Sequence, residues 1–258
     1  MKRVLVTGAT GRTGSLVFEK LQQSQEFAGV GLARSPEKAQ ERFGSTEGLV
    51  FGDICDRQSL QTAMDGCQGL VILTSAVPQV IAPPSEPGER PQMGFAPGSE
   101  PEIVDYQGQV NQIDVAQAVG VQQVVLVGSM GGTDENHFLN RIGNGKILVW
   151  KRKAEQYLMD SGLTYTIIRA GGLLDEPGGD RELLVGDNDE LLNQPPEGVK
   201  PSIPRADVAE LVVQALREPT ARNTAFDVIS NPDGLATRDF AALFARTTPG
   251  STESGSIA

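Results

Sequence analysis

Gly8, Gly11 and Gly14 stand directly after an apolar run, Val4-Leu5-Val6, and just before Leu16, Val17, Phe18 and Leu21, whose spacing is that of an amphipathic helix. A strand that turns into a helix on glycines offers free backbone N–H groups and the positive helix end to a phosphate. In such a turn Gly8 permits the sharp reversal, Gly11 lets a pyrophosphate approach the backbone, and Gly14 lets helix and strand pack closely. Thr10, Arg12 and Thr13 complete the loop, and with the glycines they are the candidate cofactor-binding residues of this end. Three glycines alone carry little; their place between a strand and a helix is what the motif requires. The chemistry implied is capture of a dinucleotide.

The residue about 20 positions past the last glycine reads the adenosine ribose of such a ligand. Arg34 holds that position, and no Asp or Glu lies between Phe27 and Ser35. A guanidinium can grip a 2′-phosphate through paired hydrogen bonds, so the cofactor expected is NADP rather than NAD. The plainer alternative is an arginine that ends a strand in solvent. Asp53, with Ile54 beside it, is suited to accept from the adenine amino group or, equally, to cap the helix that follows. Thr74, Ser75 and Ala76 close an apolar run where small residues let a nucleotide pass near the backbone. Cys55 and Cys67 read as packing residues rather than a redox pair.

A βα alternation must position these groups. After the first helix come a strand at Ala28–Arg34, a helix at Pro36–Phe43, a strand at Leu49–Gly52, a helix near Ser59–Met64 and the wholly apolar strand Leu70–Thr74. A long helix Glu102–Val119, strand Val124–Val127, helix Lys146–Met159 and strand Tyr165–Ile168 continue the series. This rhythm predicts an α/β fold, a doubly wound parallel sheet of Rossmann type spanning residues 1–258 as one domain. Two stretches interrupt it. Val77–Pro101, with seven prolines, leaves the ligand edge of the sheet and is expected to be a loop that covers the site as a lid. Residues 171–246 are expected to form a small substrate-side lobe, with a strand at Glu182–Val185, a helix at Ala206–Leu216, a strand at Ala225–Ile229 and a helix at Arg238–Phe244. The tail Thr247–Ala258, small and polar, is expected to fray.

With 258 residues, 39% hydrophobic and 21% charged, the chain has the composition of a globular protein. Its net charge of −11 argues against nucleic acid and anionic membranes as partners. No apolar run is long enough to span a bilayer, and the first strand begins too early to leave room for a leader. Two cysteines without a disulfide or zinc spacing suit a reducing compartment, and a cytoplasmic location is expected. His137 is the sole histidine, so no metal site is expected and a Ser-His-Asp triad is disfavoured.

Thr7-Gly8-Ala9-Thr10-Gly11-Arg12-Thr13-Gly14, Gly52-Asp53-Ile54, Val127-Gly128-Ser129, Lys151-Arg152-Lys153-Ala154-Glu155 and Tyr165-Thr166-Ile167-Ile168-Arg169 occur in that order. Through them the chain, to about Phe244, resembles the atypical short-chain dehydrogenase/reductases, nearest to the NmrA-like NAD(P)-binding branch and the plant and plastid-type NADP-binding Rossmann proteins. The resemblance implies a serine after the fifth strand and a Tyr-x-x-x-Lys on the next helix. There the tyrosine serves as acid/base, and the lysine tunes it and holds the nicotinamide ribose. Ser129 matches the serine. Lys153 matches the lysine through its Lys-x-Glu setting, with Lys151 as the competing position. Four residues before Lys153 stands Val149, which has no proton to give, and none of Tyr106, Tyr157 and Tyr165 has a lysine four residues on. Ser129 and Lys153 are thus the candidate catalytic residues of a degenerate site.

The function this implies is an NADPH-dependent oxidoreductase acting on a small carbonyl, quinone or enone. The proton would come from solvent, Ser129 or Lys153. The alternative is a non-catalytic NADP(H)-binding redox sensor that reports cofactor occupancy to a protein partner. An isomerase or dehydratase of sugar nucleotides is the weakest reading, because such reactions lean on the missing tyrosine.

Overall fold

The computed structural model describes residues 1–84 and 88–247, so the expected fraying from residue 248 onward lies outside the described residues. The first half of the chain runs β1 (Lys2–Thr7), α1 (Arg12–Gln22), β2 (Phe27–Ala33), α2 (Pro36–Phe43), β3 (Leu49–Phe51), α3 (Arg57–Met64) and β4 (Gly69–Ile72). A hairpin of β5 (Gln79–Ala82) and β6 (Gln92–Gly94) follows, then a π-helical turn Glu102–Gln107 that runs directly into α4 (Gly108–Val119). Next come β7 (Gln123–Ser129), α5 (Phe138–Arg141), α6 (Ile147–Asp160), β8 (Thr164–Ala170) and β9 (Gly172–Leu174). The chain continues through β10 (Glu182–Gly186), α7 (Glu190–Asn193), β11 (Ser202–Pro204), α8 (Arg205–Arg217), β12 (Thr224–Asn231) and α9 (Phe240–Phe244).

Eight strands form one sheet in the order β10-β12-β8-β7-β4-β1-β2-β3. Every pair is parallel except β10, which lies antiparallel on β12. The chain moves outward from β1 through β2 to β3, then returns to β4 and works outward the other way. The strand order therefore reverses between β1 and β4, which is where such sheets open a crevice beyond their carboxyl ends. Alternation along the strands decides which helices cover which face. Val4, Val6, Val71, Val125 and Ile168 point into the layer formed with α1 and α8. Leu5, Leu70, Ile72, Val124, Leu126 and Ile167 point into the layer formed with α3, α4 and α6. Each such aliphatic side chain contributes about 1.5–3 kcal/mol on burial, and truncating Leu70 to alanine would cost about 2–5 kcal/mol.

Local chemistry fixes the helix ends nearest the crevice. Ser35 caps α2 by accepting from the Lys38 N–H, Pro36 sits at its first position, and Gly44 ends it in the left-handed conformation. Asp56 caps α3 by accepting from the Gln58 N–H. Two expectations change. The Val77–Pro101 stretch is not a plain loop: β5 and β6 pair antiparallel beside, not within, the main sheet. Proline density hid the short extended run Gln79–Ala82, which Pro83 and Pro84 then end. Nor do residues 171–246 stand apart as a lobe. β12 lies between β10 and β8 in the central sheet and α8 packs beside α1, because Phe226, Val228, Leu211 and Val212 complete the apolar layer that Val4 and Val6 begin.

Candidate cofactor and active site

The carboxyl ends of β1, β2, β4, β7 and β8 open into one cavity of about 1090 Å³. That is ample for an extended dinucleotide ligand. Its floor at β1 is backbone. Gly8 has φ +71°, and a Cβ there would meet the Leu73 carbonyl oxygen at 2.8 Å at the end of β4. A Cβ on Gly14 would collide with the Gly8 carbonyl oxygen. Gly11 donates to Gly8 O at 2.9 Å and stands at the N-cap of α1 with no side chain to cap it and no acidic residue in the first turn. The N–H groups opening α1 thus face the cavity without a side chain to satisfy them, which is what a phosphate would do. The residues present fit a dinucleotide on these grounds.

At one end lie Arg34, Lys38, Asp53, Ile54 and Cys55. Arg34 and Lys38 are both exposed. Asp53 does not cap α3, a role Asp56 takes; its Oδ1 instead accepts from the Cys55 N–H at 2.8 Å and the residue lines the cavity. Lys38 went unnoticed in the sequence, although its place one turn past Ser35 on α2 was a usable signal. In the middle, Thr10, Gly11, Arg12, Thr13, Thr74, Ser75 and Ala76 line the walls. Arg12 Nη1 pairs with Asp175 Oδ2, and Asp175 Oδ1 with Arg205 Nε, each at 2.9 Å. Arg205 is nearly buried, and burial and then the charge of Arg12 pull its guanidinium below its ordinary value against the opposing pull of Asp175. Nothing local in the sequence marks it, since its partners lie far off in the chain.

At the other end lie Ser129, Met130, His137, Phe138, Leu139, Ile142, Ile147 and Lys151. Here the expected lysine is corrected. Lys153 is exposed, its ammonium 4.6 Å from the Trp150 ring centroid, and it does not line the cavity. Lys151 does, from the buried face of α6 that also carries Ile147, Leu148, Ala154, Glu155 and Leu158. Glu155 sets this register: it turns inward to Arg169 Nε at 2.8 Å, so the residue one turn before it on the same face is Lys151. Lys151 Nζ lies 2.6 Å from Asp105 Oδ1 on the π-helical turn, and Asp105 Oδ2 accepts from the Ala76 N–H at 2.9 Å. Ile147, four residues before Lys151, also lines the cavity and, like Val149, has no proton to give. None of the three tyrosines lines the cavity: Tyr106 packs on Trp150, Tyr157 donates to Asp114, and Tyr165 is buried in β8.

His137 opens α5 and accepts the Leu139 N–H on Nδ1 at 3.4 Å, which leaves Nε2 as the ring position for a proton. Its loop is fixed from behind. Asp189 accepts from the Gly131 N–H, the Thr133 N–H and the Thr133 hydroxyl at 2.6–2.8 Å. Burial opposes ionisation of Asp189, but these hydrogen bonds outweigh it and hold its carboxyl below the usual range. Asp227 in turn accepts from the Asp189 N–H at 2.7 Å, and burial pushes the Asp227 carboxyl up to about 6 against the pull of Arg169. Both thiols are pushed up by burial and neither forms a disulfide. Among the described residues there is no cluster of three metal-ligating side chains, and no helix is long and apolar enough to cross a membrane.

The model of a family described as NAD(P)H-binding matches residues 8–219. An uncharacterized chloroplastic protein of Arabidopsis thaliana is 55% identical over 95% of this chain and 75% of its own. Sanguinarine reductase of Eschscholzia californica is 48% identical over 95% of this chain and 96% of its own. A Rossmann-fold NAD(P)-binding family protein from Shigella flexneri aligns with a TM-score of 0.63 at 21% identity, covering 93% of this chain and 98% of that one, a likeness of fold. The chloroplastic relative overturns the expected cytoplasmic location. A low cysteine count disfavours oxidising compartments but does not tell one reducing compartment from another.

Proposed function

The chain belongs to the NAD(P)H-binding family and fits its atypical short-chain dehydrogenase/reductase branch, and we propose that it is an NADPH-dependent reductase of a small quinone, carbonyl or enone. The observation that carries this is the continuity of one cavity, from the exposed cations Arg34 and Lys38 past the glycine loop to Ser129, His137 and Lys151. Arg34 and Lys38 would grip the 2′-phosphate, the N–H groups opening α1 the pyrophosphate, and Lys151 the nicotinamide ribose. The bound cofactor supplies hydride.

This chain's own residues position and protonate the acceptor. Asp105 holds the Lys151 ammonium in place, so the lysine serves to orient rather than to wander. Met130, Leu139, Ile142, Ile147 and Leu148 keep that end of the cavity apolar, which favours a flat, weakly hydrated acceptor. Ile147 has no proton to deliver. The protonatable groups left at this end besides Lys151 are the Ser129 hydroxyl and His137 Nε2. Such a site suits acceptors that take hydride without needing a matched tyrosine acid, and a 48% identical relative is named a reductase of sanguinarine.

The missing tyrosine is also what favours the second reading, an NADP(H)-binding sensor without turnover. Oxidation of NADPH is followed against quinones, aldehydes, enones and an iminium acceptor, with Lys151→Met as control. Turnover on any acceptor supports the reductase, and its loss in Lys151→Met with the fold retained by circular dichroism ties it to this end of the cavity. Tight NADPH binding with no turnover on any acceptor class selects the sensor.

A further inference from the structure

Arg205, the first residue of α8, lines the cavity while only 7% of it is exposed. Its Nε lies 2.9 Å from Asp175 Oδ1 as an ion pair without hydrogen-bond alignment, and its buried Nη1 has no hydrogen-bond partner. A buried charged donor without an acceptor is costly, so such a group calls for an anion or a carbonyl oxygen. The place of that acceptor is narrow. Asp175 spans Arg12 and Arg205 with its two oxygens, so one carboxylate separates Arg205 from the glycine loop. α1 and α8 pack side by side, and both begin without a side-chain cap at this spot. Asp207, in the first turn of α8, is turned away to accept from the Gly179 N–H at 2.6 Å. Two guanidinium groups and two positive helix ends thus meet one carboxylate, which is itself 61% exposed.

We propose that Arg205 is a second anchor for the pyrophosphate of the dinucleotide, set across from the glycine loop, with Asp175 as the counter-ion that the ligand displaces. The inference rests on the reading of the cavity as a dinucleotide site. It makes residues 175–205 part of cofactor binding, although the fingerprint lies wholly within residues 8–14. A diphosphate matches the surplus positive charge better than a single carboxylate does, and Arg205 shares its counter-ion with the glycine loop, not with Lys151.

Calorimetry with NADPH, NADH and adenosine 2′-monophosphate tests it on the full chain, Arg205→Met and Arg205→Lys. Arg205→Met is expected to weaken both dinucleotides alike, by about tenfold or more, and to leave adenosine 2′-monophosphate, which lacks the pyrophosphate, unchanged. Arg205→Lys should recover part of the loss, since it keeps the charge but not the fork. Equal loss on all three probes, or no loss on the dinucleotides, overturns the proposal while leaving the dinucleotide reading intact. Failure of the unmutated chain to bind either dinucleotide overturns that reading as well. If Arg205→Met does not fold, Asp175→Asn carries the test. Removing the competing carboxylate should tighten both dinucleotides by about threefold, and unchanged or weaker binding overturns the proposal.

Discussion

The two ends of the cavity are built on opposite principles. The end over β1 and β2 is made of backbone: glycines that admit no Cβ, an uncapped helix start, and two exposed cations at the rim. The end over β7 and β8 is made of buried charge. Lys151 meets Asp105, Glu155 meets Arg169, and Asp189 and Asp227 stack behind the His137 loop. A backbone site is local and tolerates change around it. A site of buried charges depends on elements far apart in sequence, and loses both stability and shape when one partner goes. Lys151 and Lys153, two residues apart on α6, put the contrast to its hardest test. Lys151→Met strips the partner from a fully buried Asp105 and is expected to destabilise the fold by about 3–5 kcal/mol. Lys153→Ala, which removes only an exposed contact with Trp150, should stay within about 0.5 kcal/mol. Urea unfolding of the two variants compares them directly; similar midpoints would mean that the buried pair does not hold this end together.

The same contrast explains what was legible in the sequence. The glycine loop, Arg34 and the apolar strands carry their meaning in local order, and the parallel sheet with its switch point follows from them. The register on α6 does not. Lys-x-Glu pointed to Lys153, whereas the inward turn of Glu155 toward Arg169, fourteen residues on in β8, makes Lys151 the one that faces the cavity. Helical periodicity held the answer in the buried set 147, 148, 151, 154, 155 and 158, but reading it needed the face to be known. Arg205 was hidden for another reason. Its neighbour is Arg12, about three-quarters of the chain away, through Asp175.

The next largest effect concerns pH. The Asp227 carboxyl, fully buried, is raised from 3.8 to about 6, and that difference corresponds to about 3 kcal/mol. Because its folded value lies above its unfolded one, the stabilisation is complete below about pH 4 and is lost as pH rises through about 6. Asp189, held low, behaves oppositely, and its contribution is lost only as pH falls below the ordinary carboxylate range. Asp227→Asn should therefore flatten the fall in stability between about pH 4 and 6 and leave the protein no less stable at pH 7.5. Thermal melts across that window check it, and an unchanged slope in the variant would place the titration elsewhere.

At the backbone end the expected effects are smaller and confined to ligand. Arg34 is exposed and makes no ion pair among the described residues, so Arg34→Ala should leave stability within about 0.5 kcal/mol. We expect NADP(H) to bind at least about tenfold more tightly than NAD(H), equivalent to about 1.4 kcal/mol, and Arg34→Ala to erase most of that preference with NAD(H) affinity unchanged. Lys38→Ala should remove part of it. Equal affinities for the two cofactors in the unmutated protein would reduce Arg34 to a solvent-facing strand end.

The smallest expected effect decides the register. Val149 is four residues before Lys153, on a part of α6 that does not line the cavity. A tyrosine there lies one turn from Lys153 over the outer face of the helix, so Val149→Tyr should change neither NADPH affinity nor turnover by more than about twofold, and stability by less than about 0.5 kcal/mol. Ile147 is four residues before Lys151 and lines the cavity. Ile147→Tyr places a phenol on the active face, though overpacking of a buried position is expected to cost about 1–3 kcal/mol. A well-placed acid is worth roughly 10²–10⁴-fold, so a gain in carbonyl reduction from Ile147→Tyr with none from Val149→Tyr fixes Lys151 as the lysine of the site. A gain of tenfold or more from Val149→Tyr alone would require α6 to present its other face to the cofactor, and would return the role to Lys153.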